Sequence, residues 1–473
     1  MSADRFVREL VRAIGREKVL TGVEDLACYA YDATPAAPRI CPAAVAFPAC
    51  ADEVAAVIRV AAAYRNPVVA RGAGTSLSGG ALPVDGAVVL SLAGMDAILE
   101  LDAENMVAVV QPGLVVGDLV AAAERVGLLY PPDPASVAMA TMGGSVAECA
   151  GGLRGLKYGV TRDYVIGLEV VLADGSVARF GGKTVKNVSG YDMIRLFVGS
   201  EGTLGVVTEI TVRLVPLPPD RRTMLVSFED LAAAGRAVAG IIAGKVVPAT
   251  MELMDKVAVE VVESFAPAGL PLWADAILLV ELDGLPEVVA HDAIVVEQVC
   301  RVEGGAVRVA ADDAERDRLW AARRGAFGAL ARHSPTTIVE DATVPRSRVP
   351  DMIVALQQIA RRHGITIATM GHAGDGNLHP TILTDEGDAE EMKRVQAAVG
   401  EVFAAAVALG GTLSGEHGIG TEKKRFLAQE FDATSIAAMR AVKRALDPQG
   451  ILNPGKLIDV ERAAGQTAAE SRE

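Results

Sequence analysis

Three glycine-rich stretches, RGAGTSLSGG (71–80), PPDPASVAMATMGGSVAECAGGLRGLKYG (131–159) and KNVSGYDMIRLFVGSEGTLGVVTEI (186–210), punctuate the first half of the chain. Bare glycine lets backbone N–H groups approach a ligand, and Thr75, Ser76 and Ser78 add hydroxyl donors, so the first stretch has the make-up of a pyrophosphate cradle. Alone, it would serve equally as a tight turn. Two familiar phosphate loops do not fit it. A Walker A loop ends in Gly-Lys-Ser/Thr, and no lysine occurs here. A dinucleotide-binding βαβ turn needs a third glycine where Leu77 stands and a helix directly after, whereas Pro83 and a strand-like run follow. Three such loops in one domain ask for a large ligand.

Between the loops the chain reads as an alternation of short elements. ADEVAAVIRVAAAY (51–64) opens on Asp52 and Glu53 and places Val54, Val57, Ile58, Ala61 and Tyr64 on one face, the pattern of an amphipathic helix. PVVARG, AVVLSL, MVAVVQPG, DYVIGLEVVLADG and LGVVTEITVRLVPLP read as strands, and the prolines at 216, 218 and 219 predict a domain boundary. Beyond 221, strand-like TMLVSF and AILLVELDG alternate with helical DLAAAGRAVAGIIAG and PEVVAHDAIVVEQVCR, predicting an α+β cap with an antiparallel sheet. The expected division is a ligand-binding domain over 1–218, a substrate or cap domain over 219–414, a segment over 415–457 returning to the first domain, and a disordered polar tail over 458–473.

Composition narrows the class. A chain of 473 residues with 51% apolar content can fill more than one core. The net charge of −15 argues against nucleic acid or an anionic membrane as partner. No apolar run approaches the ~18 residues of a membrane span, and MSADRFVREL lacks the basic start and apolar core of a secretory signal. The expectation is a cytoplasmic protein, peripheral to a membrane only through a partner. Five cysteines, with no CxxC among them, fit neither a disulfide framework nor a Cys₄ cluster. Electrons leaving through an iron–sulfur centre would therefore use another chain.

GHAGDGNLHP (371–380) brings together two of only six histidines, His372 and His379. Its glycines predict a loop, and the β-branched flanks ITIATM and TILT predict strands on either side. Two imidazoles held this way suit zinc or another borderline metal, but two ligands hold a metal poorly, so a third must come from elsewhere.

The order AVAFPACADEVAAVIRVA, VGSEGTLGVVTEI, GHAGDGNLHP, SGEHGIG and LNPGKL resembles, over nearly the whole chain, the FAD-linked oxidases of the vanillyl-alcohol oxidase type, and within them the bacterial glycolate oxidase flavin subunit and D-lactate dehydrogenase group. The resemblance implies an α+β fold, a two-part FAD-binding domain with an α+β cap carrying an antiparallel sheet. It places the FAD pyrophosphate on Gly72, Ala73, Gly74, Thr75 and Ser76, with Ser78 and Gly79 nearby. Gly143, Gly144, Ala150, Gly151 and Gly152 would line the flavin, Glu201, Gly202 and Val207 match the adenine side, and Asn453 matches a residue that approaches the ring. The family usually reads Asn-Ala-Gly-Gly where this chain has Cys149, a weaker donor. Relatives that tether FAD covalently often use a histidine around the first loop; none stands between 1 and 290, so non-covalent FAD is expected.

The same resemblance supplies the third metal ligand, Glu416 of SGEHGIG. His372, His379 and Glu416 would leave coordination positions open, as catalytic metals require; zinc is the leading expectation, with Mn or Fe as alternatives. His417 matches the family's catalytic base, and Arg323 in LWAARRG matches an arginine expected to clamp the substrate carboxylate. Asp375 and Asn377 serve either as supports for the ligands or as turn residues. Relatives acting on dicarboxylic 2-hydroxy acids carry a lysine where Val339 stands, which favours a small monocarboxylic substrate, D-lactate or glycolate; Arg346 and Arg348 are the cations left to replace that lysine. The implied reaction is oxidation of a D-2-hydroxy acid to the 2-oxo acid, with electrons passed to an iron–sulfur subunit or an electron-transferring flavoprotein. Alternatives are a D-2-hydroxyglutarate-type dehydrogenase, a redox-neutral transferase resembling alkyl-glycerone-phosphate synthase, a zinc hydrolase and a silent flavin-holding subunit.

Overall fold

The computed structural model describes residues 2–35 and 37–460. Of the tail expected to be disordered, 461–473 lie outside the described residues. The helix read over 51–64 spans Ala51–Tyr64 and buries Val54, Val57, Ile58 and Ala61. It packs on a four-stranded sheet ordered Val19–Leu20, Ala44–Ala46, Val88–Ser91 and Val68–Arg71, in which the last three strands run parallel. A second sheet, antiparallel throughout, is ordered Ile98–Asp102, Val107–Val110, Val206–Arg213, Val165–Val171 and Val177–Gly181. The second glycine stretch contains a short helix, Met142–Glu148, started by Thr141, whose Oγ accepts from the N–H of Gly144.

After Val215–Pro216 the chain leaves these sheets, and Asp220 opens a strand of an eight-stranded antiparallel sheet. Its central strands read as continuous apolar runs because both faces are covered. Met224, Val226 and Phe228 point into a core shared with the helices Leu231–Ala243, Pro286–Val302, Val349–His363 and Ala389–Ala408. Leu225 points the other way, among Lys256–Phe265, Asp313–Arg324 and Ala326–His333.

The C-terminal segment comes back to the first sheet. Leu452 bridges Val68 in parallel, the N–H of Asn453 donates to Val68 O at 2.8 Å, and the buried Lys456 Nζ donates to Leu82 O at 2.7 Å. Among the described residues, no helix is long and apolar enough to cross a membrane.

Candidate active site

The loop expected around the histidines is corrected by the strand pairing. His372 closes the strand Thr366–His372 and His379 lies inside Asn377–Thr384, leaving only 373–376 as the turn. The glycine at 371 is required by close approach rather than by a break in the strand: a Cβ there would sit 2.4 Å from the carbonyl oxygen of Asn377. Met370 pairs with His379 and His372 with Asn377, so the histidines are diagonal neighbours on one sheet face, with ring centroids 5.0 Å apart.

Glu416, on the loop between Thr412 and Thr421, completes the group. Its Oε1 lies 3.0 Å from His372 Nε2 and 3.2 Å from His379 Nε2, and one ligand atom from each of the three residues lies within 4.8 Å of the others. His417 stacks on His379 at 4.9 Å and 9°. Two carboxylates absent from the expected site stand behind the histidines. Glu252 Oε1 is 2.6 Å from His372 Nδ1, and Asp341 Oδ1 is 3.8 Å from His379 Nδ1. Asp341 Oδ2 accepts from Ser414 Oγ at 2.7 Å and from the N–H groups of Glu416 and His417 at 2.9 Å each. The available signal was a charged residue flanked by apolar ones, as Glu252 is between Met251 and Leu253.

Burial is the largest influence on each group of this cluster, and for His372, Glu416 and Asp341 the neighbouring charges reverse its sign. Burial opposes charge on His372, yet Glu252 and Glu416 hold it well above the ordinary imidazole pKa. Burial opposes ionisation of Glu416 and Asp341, yet His372 for the first and His417 with Lys423 for the second keep both carboxylates below their usual range. Burial lowers His417 to about 4, so its imidazole is neutral near pH 7. Two nitrogens and one carboxylate oxygen, converging and backed by carboxylates, form a donor set suited to a borderline divalent metal.

Arg323 is buried, and two arms of its guanidinium are engaged: Nε and Nη2 donate to Glu252 Oε2 at 2.8 and 2.6 Å. Only Nη1, 3.8 Å from Met370 Sδ, is free of that carboxylate. Arg324 pairs instead with Asp133 at 3.0 Å. Asp375 accepts from the N–H of Asn377 at 3.2 Å across the turn, and Asn377 Oδ1 accepts from Thr343 Oγ at 3.0 Å on the paired strand. Arg346 and Arg348 are exposed, and Arg348 pairs with Asp351 at 2.9 Å.

The glycine stretches adjoin this cluster. A Cβ on Gly151 would lie 2.6 Å from Glu416 Oε2, which sets the 150–152 strip against the metal-ligand candidates. Ser78 Oγ donates to His417 O at 2.8 Å, Glu201 accepts from the N–H groups of Ile419 and Gly420 at 2.7 and 2.8 Å, and Asn453 Nδ2 donates to Gly80 O at 2.9 Å and Glu201 O at 2.7 Å. Ser76 Oγ accepts from the N–H of Gly80 at 3.1 Å. The hydroxyl of Ser78 thus donates within the protein, whereas Ser76 Oγ serves there as an acceptor.

A cleft of about 510 Å³ opens beside Gly72, Ala73 and Gly74. A Cβ on Gly72 would meet Thr141 Oγ1 at 2.1 Å, so only bare backbone fits there. Arg71, unnoticed in the sequence although it heads the motif, lines the cleft, and its Nη1 is anchored on Tyr31 O at 2.7 Å. A fixed cation beside exposed N–H groups suits a pyrophosphate, so the residues present fit FAD. Val207 lies within its strand, paired with Val170, and is not among the described residues that line this cleft. Cys149 is buried in a left-handed conformation (φ 55), and its Sγ accepts from Arg162 Nε at 3.2 Å.

This combination of a glycine-loop cleft and a sheet-borne cap defines a flavin oxidoreductase, and the chain belongs to the FAD-linked oxidases. The family model described as "FAD linked oxidases, C-terminal domain" matches residues 217–457, and "FAD binding domain" matches 42–181. The chain is 49% identical over 452 residues to the glycolate oxidase subunit GlcD of Bacillus subtilis, covering 95% of this chain and 96% of the relative. It is 36% identical over 462 residues to a D-lactate dehydrogenase of Anaerostipes hadrus, covering 95% and 96%. The solved structure of p-cresol methylhydroxylase with substrate bound superposes with a TM-score of 0.80 at 20% identity, covering 96% of both chains. That of alkyldihydroxyacetonephosphate synthase gives 0.76 at 20% identity, covering 96% and 86%. The fold is thus of the vanillyl-alcohol oxidase type.

Proposed function

We propose that the chain oxidises a small D-2-hydroxy acid, D-lactate or glycolate, to the 2-oxo acid, using FAD and a divalent metal held by His372, His379 and Glu416. The observation that carries this reading is the approach of Gly151 to Glu416, which sets the metal-ligand candidates against the strip assigned to the flavin. In this reading, residues 1–218 bind FAD, 219–414 form the substrate side, and 415–457 bring Glu416, His417 and Asn453 to the cleft. The names of the relatives, a glycolate oxidase subunit and a D-lactate dehydrogenase, support the substrate class. When bound, the metal lowers the substrate hydroxyl's pKa, each unit worth about 1.4 kcal/mol, and FAD accepts two electrons. His417, neutral near pH 7, takes the hydroxyl proton. Arg323 holds the substrate carboxylate through Nη1 while Glu252 fixes its other two arms. No lysine at Val339 provides for a second carboxylate.

The test is anaerobic mixing of the FAD-loaded protein with D- and L-2-hydroxy acids. The flavin is expected to bleach with D-lactate or glycolate and not with L-lactate; no bleaching by any of them would sink the reading. The chain has no cysteine cluster of its own, and electrons leave to a partner, an iron–sulfur subunit or an electron-transferring flavoprotein. An artificial dye should therefore reoxidise the flavin much faster than oxygen or NAD.

The FAD is held without a covalent bond, and acid precipitation is expected to leave the yellow chromophore in the supernatant. The folded chain places the carbonyl of His417 against Ser78 in the first loop, although no histidine is near that loop in sequence. Flavin retained by the pellet would overturn the non-covalent assignment and make His417 the first attachment point to examine.

A further inference from the structure

Among the described residues, the buried atoms without a hydrogen-bond partner include Asp341 Oδ1, His379 Nδ1 and His417 Nδ1, and these three residues cluster, with one ligand atom from each within 4.8 Å of the others. A buried polar atom left unpaired costs about 1–3 kcal/mol, so three in one place call for an account. A carboxylate oxygen can only accept, whereas an imidazole Nδ1 can carry a proton. Asp341 Oδ1 stands 3.8 Å from His379 Nδ1, too far for a formed hydrogen bond but with that nitrogen facing it. Its partner oxygen, Oδ2, is already fixed by Ser414 Oγ and the N–H groups of Glu416 and His417. The carboxylate is therefore pinned with one oxygen turned to the histidine. Glu252 makes the same arrangement for His372, with Oε2 pinned by Arg323 and Oε1 on Nδ1 at 2.6 Å.

We propose that Asp341 and Glu252 are positioning residues that keep His379 and His372 in the Nδ1–H tautomer, so that both Nε2 lone pairs converge with Glu416 on one metal ion. Asp341 has a second duty: through Oδ2 it sets the loop that carries Glu416 and His417. This rests on the metal reading given above. The two carboxylates touch no substrate; they act through the histidines, as hydrogen-bonded supports of metal-bound imidazoles do elsewhere.

Asp341→Asn separates the two duties. The three donors on Oδ2 oblige the amide to place its oxygen there, which turns the NH₂ toward His379. That NH₂ can only donate, so His379 must present a bare Nδ1 and move its proton to Nε2, the atom meant for the metal. The measurement is calorimetric titration of zinc into FAD-loaded wild type and variant, with flavin absorption and melting temperature as checks on the fold. Zinc affinity is expected to fall about 10- to 100-fold in Asp341→Asn while the flavin spectrum and melting temperature hold. Unchanged zinc affinity in the folded variant would overturn the inference. If the variant loses FAD or melts early, Glu252→Gln repeats the test at His372, and unchanged affinity there overturns it equally. Failure of wild type to bind zinc, Mn or Fe would instead remove the metal reading itself.

Discussion

Replacing His379 by alanine is expected to lower turnover of the proposed 2-hydroxy acid by about a thousandfold or more, because the metal's effect on the substrate hydroxyl is worth several kcal/mol. The imidazole stands at the centre of the site. Its Nε2 is 3.2 Å from Glu416, its ring stacks on His417 at 4.9 Å, and its Nδ1 faces Asp341. Fold and flavin should survive, since the residues matched by the FAD binding domain model are 42–181, while His379 belongs to the eight-stranded sheet. Metal content by elemental analysis should fall with activity, while flavin content and melting temperature stay near wild type. A variant that keeps half its activity without metal would refute the metal assignment, and a chelator acting on wild type gives the same decision without mutation.

Asp447→Ala is expected to cost about 3–5 kcal/mol of stability, because it strands a buried ammonium. Lys443 Nζ pairs with Asp447 and donates to Thr203 O at 2.7 Å and Leu452 O at 2.8 Å. Asp447 also accepts from the N–H groups of Ile451 and Leu452 at 3.0 and 2.8 Å. The carboxylate thus holds the turn that delivers Leu452 to Val68 and Asn453 to Gly80 and Glu201. Urea denaturation should show the lower stability, and weaker FAD retention should accompany it. Asp447→Asn, which keeps one of the two acceptor oxygens but loses the charge, should fall between. An alanine variant as stable as wild type would mean that the return of the C-terminal segment does not depend on this pair.

Much of the architecture is local and was legible from period and composition. The helix Ala51–Tyr64 has its apolar face written in the spacing of Val54, Val57, Ile58 and Ala61. Within the strand Asp220–Phe228, Met224, Leu225 and Val226 are apolar in succession, but only the fold explains why: alternate residues enter two different cores. The loop expected at His372 and His379 failed for a related reason. Glycine was taken as a sign of broken strand, whereas at Gly371 it permits close approach of the pairing strand.

By itself, the sequence determined the glycine-rich loops, the histidine pair, the glutamate and histidine of SGEHGIG and, through their order along the chain, the flavin family, because motif chemistry is carried by residue type and short spacing. Tertiary structure alone decided which backbone atoms those residues meet. Ser78 and His417 are 339 positions apart, and Glu252 and His372 are 120 apart, yet each pair is in hydrogen-bond contact. No local spacing encodes such a contact; it arises when sheets and returning segments bury their apolar faces, and buried polar atoms must then find partners wherever the packing puts them. That requirement set Glu252 between His372 and Arg323 and fixed Asp341 Oδ2 on the loop that carries Glu416 and His417.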